Sequence, residues 1–337
     1  MIYGCAGPRL AAEEARFFRD ADPYGFILFQ RNCQTPDQIR ALVGELRDSV
    51  GRASAPVLID QEGGRVARRK PPQRRAAPPA AVLGALARTS LAEARRAVRL
   101  NARLLALELL ELGITVDCAP VLDVPAEGSH DIIGDRAFAR DPDLVAELGR
   151  EAIDGFLEAG VLPVVKHVPG HGRATADSHL DLPVVETDRA TLEATDFLPF
   201  RRLSDAPWAM TAHVLYRALD PAAATSVSPR VVGDIIRGHI GFDGVLLSDD
   251  LSMKALSGDF RDRTRAVLAA GCDIALHCNG EMAEMAAIAE AAEPLSDRAM
   301  KRLARAEARR AAGGAWDRAV MLEELASLLD RRRVAGG

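Results

Sequence analysis

The sequence predicts an α/β protein that folds as a single (β/α)8 TIM-type barrel over residues 1–337. Three observations support this prediction: short apolar runs alternate with helical stretches, there are eight such runs, and most are continuously apolar. Strands of a parallel sheet are covered on both faces and therefore have this continuous pattern. A doubly wound open sheet is the alternative, although it would not require eight strands. The eight predicted strands lie at 2–5, 24–29, 56–60, 115–118, 161–166, 208–212, 245–249 and 273–277.

Amphipathic stretches between these runs predict the helices. The clearest covers 91–112, where Ser90 and Glu93 have the spacing of a capping box. Another covers 143–158, directly before the fifth strand. The charged tail that begins at about 296 is rich in alanine and leucine, and we expect it to form one or two surface helices.

Composition limits the class of protein. The chain is 48% hydrophobic and 27% charged, as is ordinary for a soluble globular protein. Its net charge of −5 provides no basic field for nucleic acid, and no apolar run approaches the roughly 18 residues that cross a bilayer. Because Glu13 and Glu14 interrupt any secretory pattern, we expect a cytoplasmic protein. We also expect a monomer that has no nucleic-acid or membrane partner. Reduced, mostly buried thiols are expected at Cys5, Cys33, Cys118, Cys272 and Cys278.

Titratable side chains cluster at the predicted strand ends. These ends include the stretches 60–62 (DQE), 166–167 (KH) and 248–250 (SDD), together with His213. The carboxyl ends of all strands of a (β/α)8 barrel meet at one face, which is where such barrels carry their active sites. We therefore expect these groups to share one polar mouth.

The stretch 166–179, KHVPGHGRATADSH, is the most informative part of the chain because it contains three histidines, a lysine and an aspartate. Asp177 and His179 could form a carboxylate–imidazole pair that moves a proton near neutral pH. The histidines could instead bind zinc, with His213 as a further ligand. No His-x-His or HExxH spacing supports that alternative, so we expect neither a metal nor a cofactor.

Other strand ends allow two interpretations each. An aspartate at 249 could be a nucleophile or could cap the next helix, and the pattern does not separate Asp249 from Asp250. Asp60 and Arg68 could form a structural ion pair or bind sugar hydroxyls, and Lys166 needs a partner if it is buried. The basic segment 65–79 is expected to be an exposed, solvated loop.

The stretch 166–179 resembles the KH-(F/V)-PGHG-x4-DSH motif of the family 3 glycoside hydrolases, specifically the bacterial β-N-acetylglucosaminidases. Three further stretches agree in order and context: 60–68 (DQEGGRVAR), 133–138 (IGDRAF) and 248–253 (SDDLSM). The resemblance runs from about residue 25 to about residue 280. It implies a barrel enzyme that removes terminal β-N-acetylglucosamine with retention of configuration.

The resemblance also implies roles for individual residues. Asp249 would be the nucleophile, His179 the general acid/base and Asp177 its dyad partner. The sugar in the −1 subsite would be bound by Asp60, Arg68, Arg136, Lys166 and His167. The single-domain form is similar to cytoplasmic enzymes of peptidoglycan recycling, which act on N-acetylglucosaminyl-1,6-anhydro-N-acetylmuramic acid and its peptide derivatives.

Alternative functions remain open at this level. A phosphorylase of the same family would replace water by phosphate, and a histidine acid/base would keep a negative charge away from that phosphate. A metal-dependent hydrolase and a non-catalytic sugar-binding protein are further alternatives. Pro169, Gly170 and Gly172 also suggest a hinged loop that brings His179 over the scissile oxygen when substrate binds.

Overall fold

Eight parallel strands close into a barrel, each hydrogen-bonded to its neighbours in chain order and the first to the last. Each predicted run overlaps one of these strands, so the (β/α)8 prediction is confirmed and the open-sheet alternative is wrong. The strands are β1 (Ile2–Tyr3), β2 (Gly25–Leu28), β3 (Val57–Ile59), β4 (Val116–Asp117), β5 (Leu162–Val168), β6 (Trp208–Thr211), β7 (Val245–Asp250) and β8 (Ile274–His277). This computed structural model describes residues 1–69, 71, 74–174, 181–310 and 314–335, with side chains as far as 331.

Helices surround the barrel. They are α1 (Ala12–Ala21), α2 (Pro36–Ser49), α3 (Ala80–Gly84), α4 (Leu91–Leu110), α5 (Pro142–Glu158), α6 (Arg189–Ala194), α7 (Leu198–Arg202), α8 (Phe260–Ala270), α9 (Met282–Ala291), α10 (Asp297–Ala308) and α11 (Arg318–Ala335), with a π-helical segment at Val231–His239. Two small sheets lie outside the barrel and pair Gln61–Gly63 with Val66–Ala67 and Val184–Val185 with Leu215–Tyr216. Single 3₁₀ turns occur at Gln30–Asn32, Ala85–Arg88, Gly134–Arg136 and Thr225–Val227.

The predicted start of α4 is correct, but only half of its capping box forms. The Ser90 hydroxyl accepts the backbone N–H of Glu93 at 3.3 Å, which satisfies one of the free donors of the first turn. The carboxylate of Glu93 pairs instead with Arg331, and the backbone N–H of Ser90 donates to Leu86. The reciprocal bond of a full capping box is therefore replaced by a contact with the C-terminal helix α11.

The barrel interior is filled by apolar side chains that point inward from all eight strands, including Trp208, Leu247 and Leu276. Helix α10 contributes Leu303 and Ala306 to this same cluster, so it closes the end of the barrel opposite the carboxyl ends of the strands. The tail is therefore more than surface helices. Helix α11 likewise buries an apolar face, formed by Met321, Leu325 and Leu328.

The described residues of the basic segment 65–79 form the predicted solvated face only in part: Arg65 is exposed, whereas other arginines contact the barrel wall. Arg75 bonds the carboxylate of Glu108 and the side chain of Asn101, both on α4. Arg69 is only 5% exposed. Arg75 therefore attaches this segment to α4, because the Glu108 carboxylate, 33 residues away in sequence, faces it.

The cysteines and the helix lengths agree with the composition. Cys5, Cys118, Cys272 and Cys278 are buried, Cys33 is half-buried, and all five are free thiols. Among the residues that the structure describes, no helix is long and apolar enough to cross a membrane.

Arg302 attaches α10 to the base of the barrel through charge. It is 4% exposed and reaches the buried carboxylate of Asp273 at 2.8 Å, while Arg237 contacts the other oxygen of that carboxylate. It also bonds Asp243, which Arg305 contacts from the solvent side. The helix is therefore attached by a buried ion pair in addition to its apolar contacts.

Replacing Arg302 by alanine tests this attachment. Because the Asp273 carboxylate would lose one of its two charged partners, we expect the free energy of unfolding to fall by about 3 kcal/mol. Arg305→Ala is the matched control, since its side chain is 60% exposed and the change should cost less than about 1 kcal/mol. Urea denaturation followed by circular dichroism measures both, and equally small losses would contradict a structural role of α10 in the barrel base.

Candidate active site

A cavity of about 350 Å³ opens at the carboxyl ends of the barrel strands. Apolar side chains such as Phe29, Met210 and Leu276 form part of its wall. Ligand sites commonly combine such a wall with a few convergent polar groups. Six of the eight residues that the sequence singled out line this one cavity: Asp60, Arg68, Arg136, Lys166, His167 and Asp249.

Five charged side chains form an ion-pair cluster on one side of the cavity. The ammonium of Lys166, at the end of β5, lies 2.8 Å from Asp60 Oδ1 and 2.7 Å from Glu62 Oε1. Arg136 pairs with both oxygens of Glu62, at 2.8 and 2.9 Å. Arg68 contacts Asp60 Oδ2 at 2.8 Å. We call these five residues the charged cluster.

Opposite charges keep the charged cluster ionised although it is buried. Burial alone would raise the pKa of Asp60 and Glu62, but Lys166 and the adjacent guanidinium groups outweigh it and hold both pKa values below the ordinary ones. Burial would lower the pKa of Lys166, whereas the two carboxylates raise it. The cluster is therefore a set of permanent charges with fixed geometry, which suits binding of sugar hydroxyls.

His167 sits on a β-bulge of β5. Lys166 pairs with Met210 and Val168 with Thr211, so β5 advances two residues while β6 advances one. Such an extra residue breaks the ladder and redirects a side chain. Here it places the imidazole of His167 in the wall of the cavity.

Asp123 stabilises this bulge, and sequence reasoning missed it. Its fully buried carboxylate accepts the backbone N–H groups of His167 and His171, at 3.2 and 2.7 Å, and contacts His167 Nδ1 at 2.7 Å. Burial opposes its ionisation, but His167 lowers its pKa. With Nδ1 engaged, Nε2 is the nitrogen of His167 that remains for a ligand. The only signal in the sequence is a carboxylate inside the apolar run 121–124 (VLDV).

Asp249 and Asp250 have different surroundings, which the sequence pattern did not separate. Both oxygens of Asp250 are engaged: Oδ1 accepts the backbone N–H groups of Ser252 and Cys278, at 3.1 and 3.0 Å, and Oδ2 accepts the Ser252 hydroxyl. Asp249 is half-buried in the cavity wall, where its Oδ1 accepts the backbone N–H of Asp250 at 2.8 Å. These hydrogen bonds give the Asp250 carboxylate a structural role, and both carboxylates lie in the wall of the cavity.

His213 is not the spare metal ligand that the sequence suggested. Its Nε2 contacts the carbonyl oxygen of Asp250 at 3.0 Å, and its Nδ1 contacts the Ser226 hydroxyl. Burial lowers the pKa of His171 to about 4, so that ring is neutral at neutral pH. In the part of the chain that the structure describes, no three potential ligands converge on one point.

The loop after β5 packs tightly at its glycines. A Cβ atom on Gly172 would lie 1.9 Å from the carbonyl oxygen of Val124, so this position requires glycine. The carbonyl oxygen of Gly170 accepts the hydroxyl of Tyr216. These contacts give the glycines a packing role that the hinge hypothesis did not anticipate, while the hinge itself stays a prediction. Asp177 and His179 lie outside the described residues.

Comparisons with known proteins agree with one another. The family described as "Glycosyl hydrolase family 3 N terminal domain" matches residues 6–311. A β-hexosaminidase of Alkalilimnicola ehrlichii is 40% identical over 309 residues, which cover 90% of this chain and 88% of that protein. The structure of NagZ from Neisseria gonorrhoeae in complex with N-trifluoroacetyl-D-glucosamine superposes with a TM-score of 0.87 at 32% identity, over 98% of this chain and 97% of that one.

A third match is longer than this chain. The family 3 β-N-acetylglucosaminidase of Paenibacillus sp. str. FPU-7 superposes with a TM-score of 0.84 at 30% identity, over 98% of this chain but 66% of that one. This chain therefore spans about two thirds of that protein and most of the length of the other two. The family match over most of the sequence, the 40% identity to a curated relative and the shared barrel together show that the chain belongs to the family 3 glycoside hydrolases.

Proposed function

We propose that this enzyme is an exo-β-N-acetylglucosaminidase that retains the configuration of the sugar it releases. The observation that supports this most directly is that the charged cluster and Asp249 line the same cavity. A cluster of permanent charges can bind the hydroxyls of a terminal sugar, and a carboxylate aimed at the same space can attack its anomeric carbon. One solved relative is described as a β-N-acetylglucosaminidase and another holds N-trifluoroacetyl-D-glucosamine, and both support the choice of sugar.

The proposed reaction has two steps. In the first, Asp249 attacks the anomeric carbon while His179 protonates the departing glycosidic oxygen, which gives a glycosyl-aspartate ester. In the second, His179 removes a proton from water, which attacks the same carbon and releases Asp249 unchanged. Two inversions give net retention. Asp177 would orient the imidazole and stabilise its protonated form.

The charged cluster would position the sugar for this attack. Asp60, Lys166 and His167 line the cavity and offer hydroxyl partners of both signs. Arg136 and Arg68 fix the carboxylates that face Lys166, and thereby fix the binding wall. Attack requires the reacting atoms to approach within about 3–3.5 Å with correct alignment, so a rigid wall contributes directly to the rate.

We further propose that the substrate is N-acetylglucosaminyl-1,6-anhydro-N-acetylmuramic acid and its peptide derivatives, released during peptidoglycan recycling in the cytoplasm. The motif resemblance supports this substrate class, and the near full-length match to a structure that holds N-trifluoroacetyl-D-glucosamine supports its sugar part. We also propose that the enzyme acts as a monomer and uses no cofactor, since the two steps require only side-chain groups and water.

Asp249→Ala tests the chemical proposal. We expect the wild-type enzyme to release N-acetylglucosamine from the anhydro disaccharide, first as the β-anomer, and the variant to lose roughly 10⁴-fold or more in rate. Proton NMR of the fresh product and a coupled assay measure the two quantities. Asp234→Ala, at an exposed position of the π-helical segment, is the matched control. A wild-type enzyme that leaves this disaccharide intact would refute the substrate, and an active Asp249→Ala variant would refute the nucleophile.

Lys166→Met tests the charged cluster. Because Asp60 and Glu62 would lose their shared counter-charge, we expect the free energy of unfolding to fall by about 3 kcal/mol near neutral pH. N-acetylglucosamine should bind at least roughly tenfold more weakly. Lys301→Met, at an exposed position on α10, is the matched control and should match the wild type. Urea titration and calorimetry measure these effects.

The pH dependence of Lys166→Met has a definite sign. In the wild type both carboxyl pKa values are lowered, so their contribution to stability is present above the ordinary values of 3.8 and 4.5 and is lost at lower pH. Without Lys166, burial should raise these pKa values, and protonation should then relieve the destabilisation as the pH falls. The deficit relative to wild type should therefore shrink between about pH 7.5 and pH 5; a deficit independent of pH would contradict the described electrostatics.

A further inference from the structure

We infer that Ser248, Asp250 and His213 are positioning residues that maintain a β-bulge, and that this bulge aims Asp249 into the cavity. This inference rests on the proposed role of Asp249 as the nucleophile. It adds three side chains that would act on the reaction through the backbone and need not touch the substrate.

The bulge is visible in the register of β7 against β8. Leu247 pairs with Ile274 and Asp250 with Leu276, so β7 advances three residues while β8 advances two. The extra residue falls in the segment that contains Ser248 and Asp249. A bulge of this kind leaves backbone groups without their ladder partners and bends the strand. Buried backbone groups need partners, so side chains must replace the missing ladder bonds.

Ser248 replaces two of these bonds with one hydroxyl. Its Oγ accepts the backbone N–H of Leu276 at 3.1 Å and donates to the carbonyl oxygen of Asp249 at 2.8 Å. Ser248 is fully buried, so water cannot substitute for the hydroxyl. One side chain thus connects β8 to the backbone of the proposed nucleophile.

Asp250 and His213 fix the next residue from both sides. The carboxylate of Asp250 accepts the backbone N–H of Cys278 at 3.0 Å, which continues the connection to β8. The carbonyl oxygen of Asp250 accepts Nε2–H of His213 at 3.0 Å, and the Ser226 hydroxyl donates to His213 Nδ1. Because an acceptor faces Nε2, we assign a proton to this nitrogen, and burial lowers the pKa of His213, which favours the neutral ring.

Three hydrogen bonds fix the backbone at and after Asp249. Ser248 bonds the carbonyl oxygen of Asp249. Asp250 is bonded to the end of β8 through its carboxylate, and to His213, just after β6, through its carbonyl oxygen. A displacement of about 1 Å at a reacting group can cost roughly 100-fold in rate. The bulge and its three side chains therefore determine whether the Asp249 carboxylate reaches the anomeric carbon in line.

The test measures the attack step separately from sugar binding. An aryl β-N-acetylglucosaminide with a good leaving group reports attack through kcat/KM, and calorimetry with N-acetylglucosamine reports binding by the charged cluster. We expect Ser248→Ala to lower kcat/KM at least roughly tenfold while the Kd for N-acetylglucosamine stays within about twofold. Ser49→Ala is the matched control, because Ser49 is a buried serine whose hydroxyl donates to a backbone carbonyl on α2, away from the cavity. It should change the melting temperature and leave kcat/KM unchanged.

Two variants of Asp250 separate acceptor geometry from charge. Asp250→Asn keeps a side-chain oxygen that can accept the Cys278 N–H, so we expect kcat/KM within about threefold of wild type. Asp250→Ala removes that oxygen and should lose at least roughly tenfold with unchanged sugar affinity. The pair decides the inference even if Ser248→Ala does not fold.

Three results would overturn the inference. One is wild-type kcat/KM in folded Ser248→Ala. The second is wild-type kcat/KM in Asp250→Ala. The third is an equal loss in Asp250→Asn and Asp250→Ala, because it would show that the negative charge matters and not the acceptor. None of these would affect the proposed function, which fails if the wild-type enzyme leaves the disaccharide intact or if Asp249→Ala remains active.

Discussion

The ammonium of Lys166 can be buried at the end of β5 only because two carboxylates face it from the end of β3. Asp60 and Glu62 supply these charges, and Arg136 joins the same group from the segment between β4 and α5. An unpaired charge in this position would be strongly destabilising. The arrangement therefore couples strands that are distant in sequence and gives the mouth of the barrel one rigid polar wall.

Two β-bulges place functional side chains around this wall. One lies in β5 at His167, and the other lies in β7 at Asp249. In both, a carboxylate accepts backbone N–H groups near the bulge: the buried Asp123 beside β5 and the half-buried Asp250 at the end of β7. The barrel thus keeps its regular ladder below the mouth and departs from it where side chains must be redirected. Polar groups fixed in advance in this way are what an enzyme needs when charge develops during reaction.

The sequence predicted the fold well because the strands are covered on both faces. Continuous apolar runs identified all eight barrel strands, and their polar ends identified four residues that line one cavity: Asp60, Lys166, His167 and Asp249. Arg68 came from the loop after the third strand, and Arg136 came from the family resemblance. The parallel architecture explains this success, since every strand end points to the same face. The C-terminal tail was harder to predict. Its charged, alanine- and leucine-rich composition indicated surface helices and did not show that Leu303 of α10 enters the barrel.

The remaining differences concern partners that are distant in sequence. Asp123 sits within an apolar run and has no periodic signal, so its bonds to His167 could not be anticipated. Asp249 and Asp250 are adjacent and identical in type, and only their hydrogen bonds separate them. Arg75, in the segment 65–79, was predicted to be solvated because the linear sequence does not show that Glu108 faces it. In each case the missing information is a contact across the fold.

The most direct test is whether Asp249 forms a covalent bond to the sugar during the reaction. Incubation with a fluorinated N-acetylglucosaminyl fluoride, whose glycosyl-enzyme intermediate hydrolyses slowly, should trap that bond. Proteolysis and tandem mass spectrometry then locate the modified residue. We expect a single glycosyl adduct on Asp249. An adduct on Asp250 or on another residue, or no adduct in an enzyme that turns over its substrate with retention, would contradict this expectation.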